Sequence, residues 1–214
     1  MDTILIITIA ITAIISYISF DKRNGYFEKY KFNVSAILYK KEYIRLLSAG
    51  FLHADFMHLG FNMLTLYFFG PIVVSAFGDV GFVVTYIGSI LLGNIFSLFL
   101  YKNQGWYSAI GASGGVSGIL FASIAMYPMI MINFIIPGFV FGFLYFAYSV
   151  YAMLNPKQND NIGHSAHLAG AFFGLVYAVS LQPEVAMSNA IYIGVMALPL
   201  LYMGYEVFIN KKIR

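Results

Sequence analysis

Seven long apolar segments, separated by shorter polar stretches, are the feature that most constrains how this chain can fold. A helix needs about 20 mostly apolar residues to cross the hydrocarbon core of a membrane, and each segment approaches that length. Continuous apolar runs favour helices over barrel strands, because barrel strands alternate apolar and polar residues and lipid cannot satisfy open backbone groups. We therefore predict an all-α, polytopic membrane bundle. The segments are Thr3–Phe20, Phe56–Phe77, Gly81–Tyr101, Ala112–Tyr127, Phe134–Leu154, Ser165–Leu181 and Ser188–Ile209.

The composition excludes an ordinary soluble domain. Hydrophobic residues make up 60% of the 214 positions and charged residues 10%, whereas a soluble domain carries about a quarter charged residues and less than half apolar ones. The net charge of +3 is too small to indicate binding to nucleic acid, and the lack of cysteine excludes disulfides and thiolate chemistry. We expect a single membrane domain over residues 1–214, embedded in a lipid bilayer.

The N-terminal segment is interpreted as an uncleaved spanning helix. It starts with Met1-Asp2-Thr3 and has no small-residue cleavage site before Phe20. A signal peptide would have a basic start and such a site.

Polar side chains inside spanning helices are costly, and they commonly mark functional sites. The second segment and its approach contain His53, His58 and Asn62. His58 and Asn62 are four residues apart, so they lie on one helical face and could donate hydrogen bonds to an anionic intermediate. Interhelical hydrogen bonding by the same two residues is an equally open interpretation, and His53 could be an interfacial residue.

Glycines predict a close contact between the fourth and sixth helices. Gly114 and Gly118 share one face of the fourth segment, and Gly170 and Gly174 have the same spacing in the sixth. Such pairs let two helix backbones approach closely, and helix packing is their commoner meaning.

Ser113 and His167 form a candidate nucleophile and base. Ser113 lies in the sequence Gly111-Ala112-Ser113-Gly114, and His167 lies on the glycine stripe of the sixth segment. A serine needs a base within hydrogen-bond reach to become a nucleophile. Ser113 also lies near a helix start, where unpaired N–H groups can help to hold an oxyanion. A lone G-x-S-G in an apolar helix is more often packing, so the hypothesis rests on the combination.

Together these residues resemble the rhomboid family of intramembrane serine proteases. Three motifs match that family in order and spacing, within a six-helix core over residues 1–181. The segment 188–210 resembles the additional C-terminal helix of some members. The motifs are His53-x4-His58-x3-Asn62, Gly111-Ala112-Ser113-Gly114 and Ala166-His167-x2-Gly170-x3-Gly174.

The resemblance implies a mechanism and a set of roles. Ser113 would be the nucleophile and His167 the general base and acid, in a dyad without a third acidic member. His58, Asn62 and the backbone N–H of Ser113 would form the oxyanion hole. Substrates would be single-span membrane proteins, cut in or near their spanning helix, and no metal or cofactor is implied. Structural support is expected from His53, Arg45, Gly111, Gly114, Gly170 and Gly174.

Two departures from the family pattern concern supporting residues. The long first loop of many members has Trp-Arg, whereas here Arg45 is kept and no tryptophan precedes it; Tyr43 lies two positions earlier. Many members also place an aromatic residue one turn after the nucleophile, stacked on the histidine. Here that position is Ser117, so another group must hold His167 or its orientation is looser.

Two other functions stay open. A catalytically inactive relative that binds membrane proteins would be expected to lack Ser113 or His167, and both are present. A small transporter whose intramembrane His and Asn relay protons would often show repeated halves or broken helices, and the sequence shows no repeat.

Charge and resemblance disagree about orientation in the membrane. With seven spans, the first, third and fifth loops lie on the side of the C-terminus, and these four segments hold all 12 Lys and Arg residues. The positive-inside rule makes that side cytoplasmic. The family resemblance places it outside, with the N-terminus in the cytoplasm. We predict the family's orientation, in the bacterial cytoplasmic (inner) membrane.

Overall fold

The computed structural model describes residues 2–132, 135–156 and 163–210. Phe134, the predicted start of the fifth segment, lies outside the described residues, as do most of the polar loop after Leu154 and the basic residues of the C-terminus. The helices are α1 Thr3–Phe20, α2 Tyr26–Tyr30, α3 Val34–Leu38, α4 Arg45–Ser48, α5 Phe56–Tyr101, α6 Ser113–Met126, α7 Gly138–Leu154, α8 His164–Leu181, α9 Pro183–Ser188 and α10 Ala190–Gly204, which continues as a short π-helix over Tyr205–Ile209. Two 3₁₀ turns cover Lys22–Asn24 and Ala49–Phe51, and the strands are β1 Phe32–Asn33, β2 Ser108–Ala109, β3 Met131–Ile132 and β4 Ile136–Pro137.

The predicted helical membrane bundle is confirmed. Within the described residues, α1, α5, α8 and the helical stretch Ala190–Ile209 are each long and apolar enough to cross a membrane. α5 has 46 residues, about twice what one span needs, and its backbone leaves the helical conformation at Gly78, with φ 70° and ψ 179°. Glycine adopts such a positive φ without a steric penalty. Gly78 therefore divides α5 into the predicted second and third spans.

α6 is the buried centre of the bundle. Every residue from Gly114 to Met126 is buried, and α6 packs mainly against α5 and α8. At about 1.5 Å per residue this helix is about 21 Å long, which is less than the roughly 30 Å of a hydrocarbon core. At least one end of α6 therefore lies within the depth of the membrane.

Glycines set the distance between α6 and α8. A Cβ atom added to Gly170 would collide with the carbonyl oxygen of Gly114, and one added to Gly174 would collide with that of Gly118. A Cβ atom on Gly118 would also meet the side chain of Ser89 in α5. The contact predicted between the fourth and sixth helices is thus present, and it joins backbone to backbone.

The long loop after α1 is folded around Arg45. This side chain is buried, and its guanidinium donates to the Glu42 carboxylate at 2.6 Å and to the carbonyl oxygens of Glu28 and Lys31 at 2.8 Å each. A buried charge needs such partners. Strand β1 also pairs antiparallel with β2, which ties this loop to the chain just before α6. Tyr43 is 59% exposed and takes no part in this core.

The fifth helix begins at Gly138 rather than at the predicted Phe134. The antiparallel pair β3–β4 precedes it, with Ile132 opposite Ile136 and Met131 opposite Pro137. A proline disfavours the helical conformation of the residue before it, so Ile136 stays extended.

The C-terminal helix α10 packs on α7. A Cβ atom on Gly142 would collide with Met196, which is buried, and the rings of Phe139 and Tyr192 have centroids 5.0 Å apart. The short helix α9 occupies the predicted loop between the last two spans.

Candidate active site

The side chains of Ser113 and His167 are in hydrogen-bond contact. His167 Nε2 lies 2.6 Å from Ser113 Oγ. Ser113 is the first residue of α6 and His167 lies in the first turn of α8, so the backbone contact between these helices brings the two side chains together. If Nε2 accepts the serine proton, a neutral imidazole carries its own proton on Nδ1. This is the arrangement of a nucleophile with its base.

The chain enters α6 through a turn that only glycine fits easily. Gly111 has a φ of 122°, which residues with a Cβ atom rarely adopt, and its N–H donates to the carbonyl oxygen of Ala49 at 3.0 Å. Because α6 begins at Ser113, the N–H groups of its first turn have no carbonyl partner four residues earlier in the helix. Such groups can stabilise negative charge at this helix end.

His58 adjoins Ser113 across Gly111. A Cβ atom on Gly111 would lie 2.9 Å from His58 Nε2 and 3.4 Å from Ser113 Oγ, so the glycine keeps the space between them open. His58 Nδ1 accepts a hydrogen bond from the Ala54 N–H at 3.5 Å. A neutral His58 therefore carries its proton on Nε2, which makes the nitrogen beside Gly111 a donor.

Asn62 lies one turn further along α5 than His58. It is buried, and its Nδ2 donates to the carbonyl oxygen of His58 at 3.1 Å, which uses one of its two amide hydrogens. The structure thus brings Ser113, His167 and His58 together. Asn62 is linked to His58 by this hydrogen bond within α5.

His53 connects the entry of α6 to α1. Its Nε2 accepts from the Ala112 N–H at 3.4 Å, and its Nδ1 is 2.8 Å from Ser16 Oγ. Ser16 in turn donates to the carbonyl oxygen of Phe51 at 2.9 Å. These bonds require a neutral His53, and burial lowers the pKa of this residue to about 3, with a smaller contribution from His58.

Tyr145 of α7 is a neighbour of His167 that the sequence did not indicate. The two rings have centroids 6.4 Å apart and an angle of 24° between their planes. The Tyr145 hydroxyl is 2.6 Å from Ser117 Oγ. The only signal in the sequence was the missing aromatic residue at Ser117, since nothing in the pattern of α7 shows which of its aromatic residues faces α8.

The arrangement places a serine hydroxyl, an imidazole and hydrogen-bond donors close together, and these are groups that acyl transfer can use. Over the described ranges, no group of three or more His, Cys, Asp or Glu side chains is placed to hold a metal ion.

Comparisons with known proteins point to one family. A sequence model described as Rhomboid domain matches residues 40–184. The chain is 29% identical over 167 residues to Rhomboid protein 1, mitochondrial, of Saccharomyces cerevisiae, covering 73% of this chain and 48% of that protein. It is 30% identical over 145 residues to RHOMBOID-like protein 12, mitochondrial, of Arabidopsis thaliana, covering 59% of this chain and 43% of that protein. It is 29% identical over 185 residues to Rhomboid protease GluP of Bacillus subtilis, covering 79% of this chain and 33% of that protein. The chain therefore spans half or less of the length of these relatives.

Proposed function

Because the chain belongs to the rhomboid family and is an integral, multi-pass membrane protein, we propose that it is an intramembrane serine endopeptidase. Its substrates are single-span membrane proteins, cleaved in or near the spanning helix. The observation that carries this proposal is the 2.6 Å contact between Ser113 Oγ and His167 Nε2. Neither an inactive membrane-protein binder nor a transporter requires that contact.

In the proposed mechanism, His167 Nε2 takes the proton of Ser113 Oγ as this oxygen attacks the carbonyl carbon of the scissile peptide bond. The oxyanion accepts hydrogen bonds from His58 Nε2, from the backbone N–H of Ser113 and from the second amide hydrogen of Asn62. His167 then protonates the leaving amine as the C–N bond breaks. Water, deprotonated by His167, finally hydrolyses the acyl enzyme and restores Ser113.

We place this activity in the bacterial cytoplasmic membrane, with residues 1–181 as the protease core and 188–210 as an additional helix. The similarity to a rhomboid protease of Bacillus subtilis supports a bacterial location, whereas two other relatives are named as mitochondrial proteins.

Cleavage of a model single-span substrate by purified protein in liposomes tests the dyad. Ser113→Ala and His167→Ala should each abolish cleavage, and the double variant should be no worse than either, because members of a catalytic unit are strongly non-additive. A fluorophosphonate should label the wild type and not Ser113→Ala. Ser123→Ala is the matched control: this serine lies in the same helix, and it donates to carbonyl oxygens of Ile119 and Phe69.

Substantial proteolysis by folded Ser113→Ala protein would end the assignment of the nucleophile. An unlabelled and inactive wild type, folded in the same membranes, would instead favour the inactive relative or the transporter.

A further inference from the structure

His167 needs a partner that fixes the plane of its imidazole. A serine hydrolase with a third acidic member orients its base through a carboxylate, but the sequence has no Asp or Glu between Gly163 and Leu181. The one-turn position after the nucleophile is Ser117, which has no ring to stack on the histidine. Neither a carboxylate of α8 nor a ring at position 117 therefore orients the base.

Among the residues that the structure describes, two rings are recorded next to that of His167. The ring of His164 stands nearly perpendicular to it, at 72° and 6.3 Å between centroids, and belongs to the same turn of α8. The ring of Tyr145 lies at 24° to the imidazole with a centroid distance of 6.4 Å. Offset, near-parallel rings at such distances attract each other and resist rotation of one ring against the other. Tyr145 is thus the neighbour whose geometry matches a stacking partner.

Tyr145 is itself held by neighbours at its hydroxyl and at its ring. Its hydroxyl is 2.6 Å from Ser117 Oγ on α6, and its ring packs against Phe121 at 5.3 Å and against Phe141 at 5.9 Å between centroids. Ser117 is buried, so the hydrogen bond is shielded from competing water. The small side chain at position 117 is what leaves room for a tyrosine hydroxyl from α7.

We propose that Tyr145, anchored by Ser117, is the positioning residue that holds the imidazole of His167 against Ser113. An aromatic residue supplied by α7 thus takes the place that a ring one turn after the nucleophile has in many family members. This inference rests on the proposed protease function, because it concerns the base of that reaction.

The test distinguishes the effect of the Tyr145 ring from that of its hydroxyl by measuring kcat and KM on the single-span substrate. Tyr145→Leu should lower kcat by about two- to tenfold, the range expected for loss of one aromatic pair, and should leave KM unchanged. Labelling by the fluorophosphonate should slow in parallel, because that rate reports activation of Ser113 and needs no substrate docking. Tyr145→Phe and Ser117→Ala remove the same hydrogen bond from its two ends, so their small losses should be equal and non-additive. Tyr151→Leu is the matched control, since Tyr151 lies on the same helix and is 60% exposed.

An exchange variant covers the case in which Tyr145→Leu fails to fold. Ser117→Tyr combined with Tyr145→Ser moves the ring from α7 to α6 and should recover activity relative to Tyr145→Ser alone. Wild-type kcat in folded Tyr145→Leu, a loss confined to KM, or an exchange variant no better than Tyr145→Ser would each overturn the inference. These outcomes leave the dyad intact as long as Ser113→Ala is inactive, so failure of the inference and failure of the proposed function can be told apart.

Discussion

At the scale of single residues, the site depends on which nitrogen of each histidine carries a proton. His58 accepts at Nδ1 from Ala54, so its donor nitrogen lies beside Gly111. His53 must accept at Nε2 from Ala112 and donate at Nδ1 to Ser16. Neighbouring backbone groups therefore give two histidines of one motif opposite tautomers.

The oxyanion donors should affect turnover more than substrate binding. In the proposed mechanism, His58→Ala and Asn62→Ala each remove a hydrogen-bond donor to the oxyanion of the tetrahedral intermediate. Loss of one such donor costs roughly 3–4 kcal/mol in a soluble serine protease, and we expect less here because several donors share the charge. Steady-state kinetics on the model substrate measure this. Changes confined to KM would instead assign both residues to substrate binding.

The neutral His53 predicts an acid-sensitive fold. Its pKa falls from 6.5 to about 3 on folding, mainly through burial, so between these values the unfolded chain binds more protons than the folded one. The free energy of unfolding should therefore fall as the pH drops from 6.5 towards 3, and His53 stabilises the fold fully only above that window. Thermal unfolding in detergent across the window measures it, with His53→Gln as the comparison. A pH dependence as steep in His53→Gln as in the wild type would contradict the assignment.

The sequence predicted Ser113, His167 and His58 as candidate site residues, because each belongs to a motif whose spacing can be read along one helix. The sequence could not predict Tyr145, because the contact between Tyr145 and His167 depends on how α7 is rotated against α8. Ser16 escaped notice for the same reason: its bond to His53 joins residues 37 positions apart.

At the scale of elements, the apolar runs predicted the spans well because length and continuity are properties of one segment at a time. The break at Gly78 and the late start of α7 at Gly138 follow from local glycine and proline chemistry. The short helices α2–α4 gave no periodic signal in the sequence, since each has only four or five residues. The contact that links α2 to α4, through the buried guanidinium of Arg45, joins residues far apart in the sequence.

The α6–α8 contact should be intolerant of any added side chain. Gly170→Val would push a β-branched group against the Gly114 carbonyl, and overpacking of this kind costs about 1–3 kcal/mol. We expect a lower melting temperature and reduced cleavage, since α8 would shift His167 away from Ser113. Gly194→Val in α10 is the matched control, because a Cβ atom there meets nothing within 4 Å. Equal melting and equal rates for the two variants would show that the contact does not set the site's geometry.

At the scale of the whole molecule, charge and family resemblance predict opposite faces of the membrane for the site. The third loop contains Lys102, which is exposed, and the short helix α9 contains Glu184, which is exposed as well. With seven spans these two positions lie on opposite sides of the bilayer. Positive charge places Lys102 inside, and the family's orientation, which we favour, places it outside.

A chain without cysteine makes this test clean. Lys102→Cys and Glu184→Cys, made separately, are treated in intact cells with an impermeant thiol reagent. We expect labelling of the first and not of the second. The reverse result would turn the active site towards the cytoplasm, and cells opened before treatment should label both variants as a control for accessibility.

The meeting of α6 and α8 restricts how this protein can evolve. Gly170 and Gly174 face main-chain carbonyl oxygens, those of Gly114 and Gly118. When two side chains clash, a shorter partner can relieve the crowding, but no substitution shortens a carbonyl group. A larger residue at either glycine therefore has no compensating change across the interface. Any second-site suppressor has to lie elsewhere, in residues that let a whole helix shift or that raise the stability of the bundle in general.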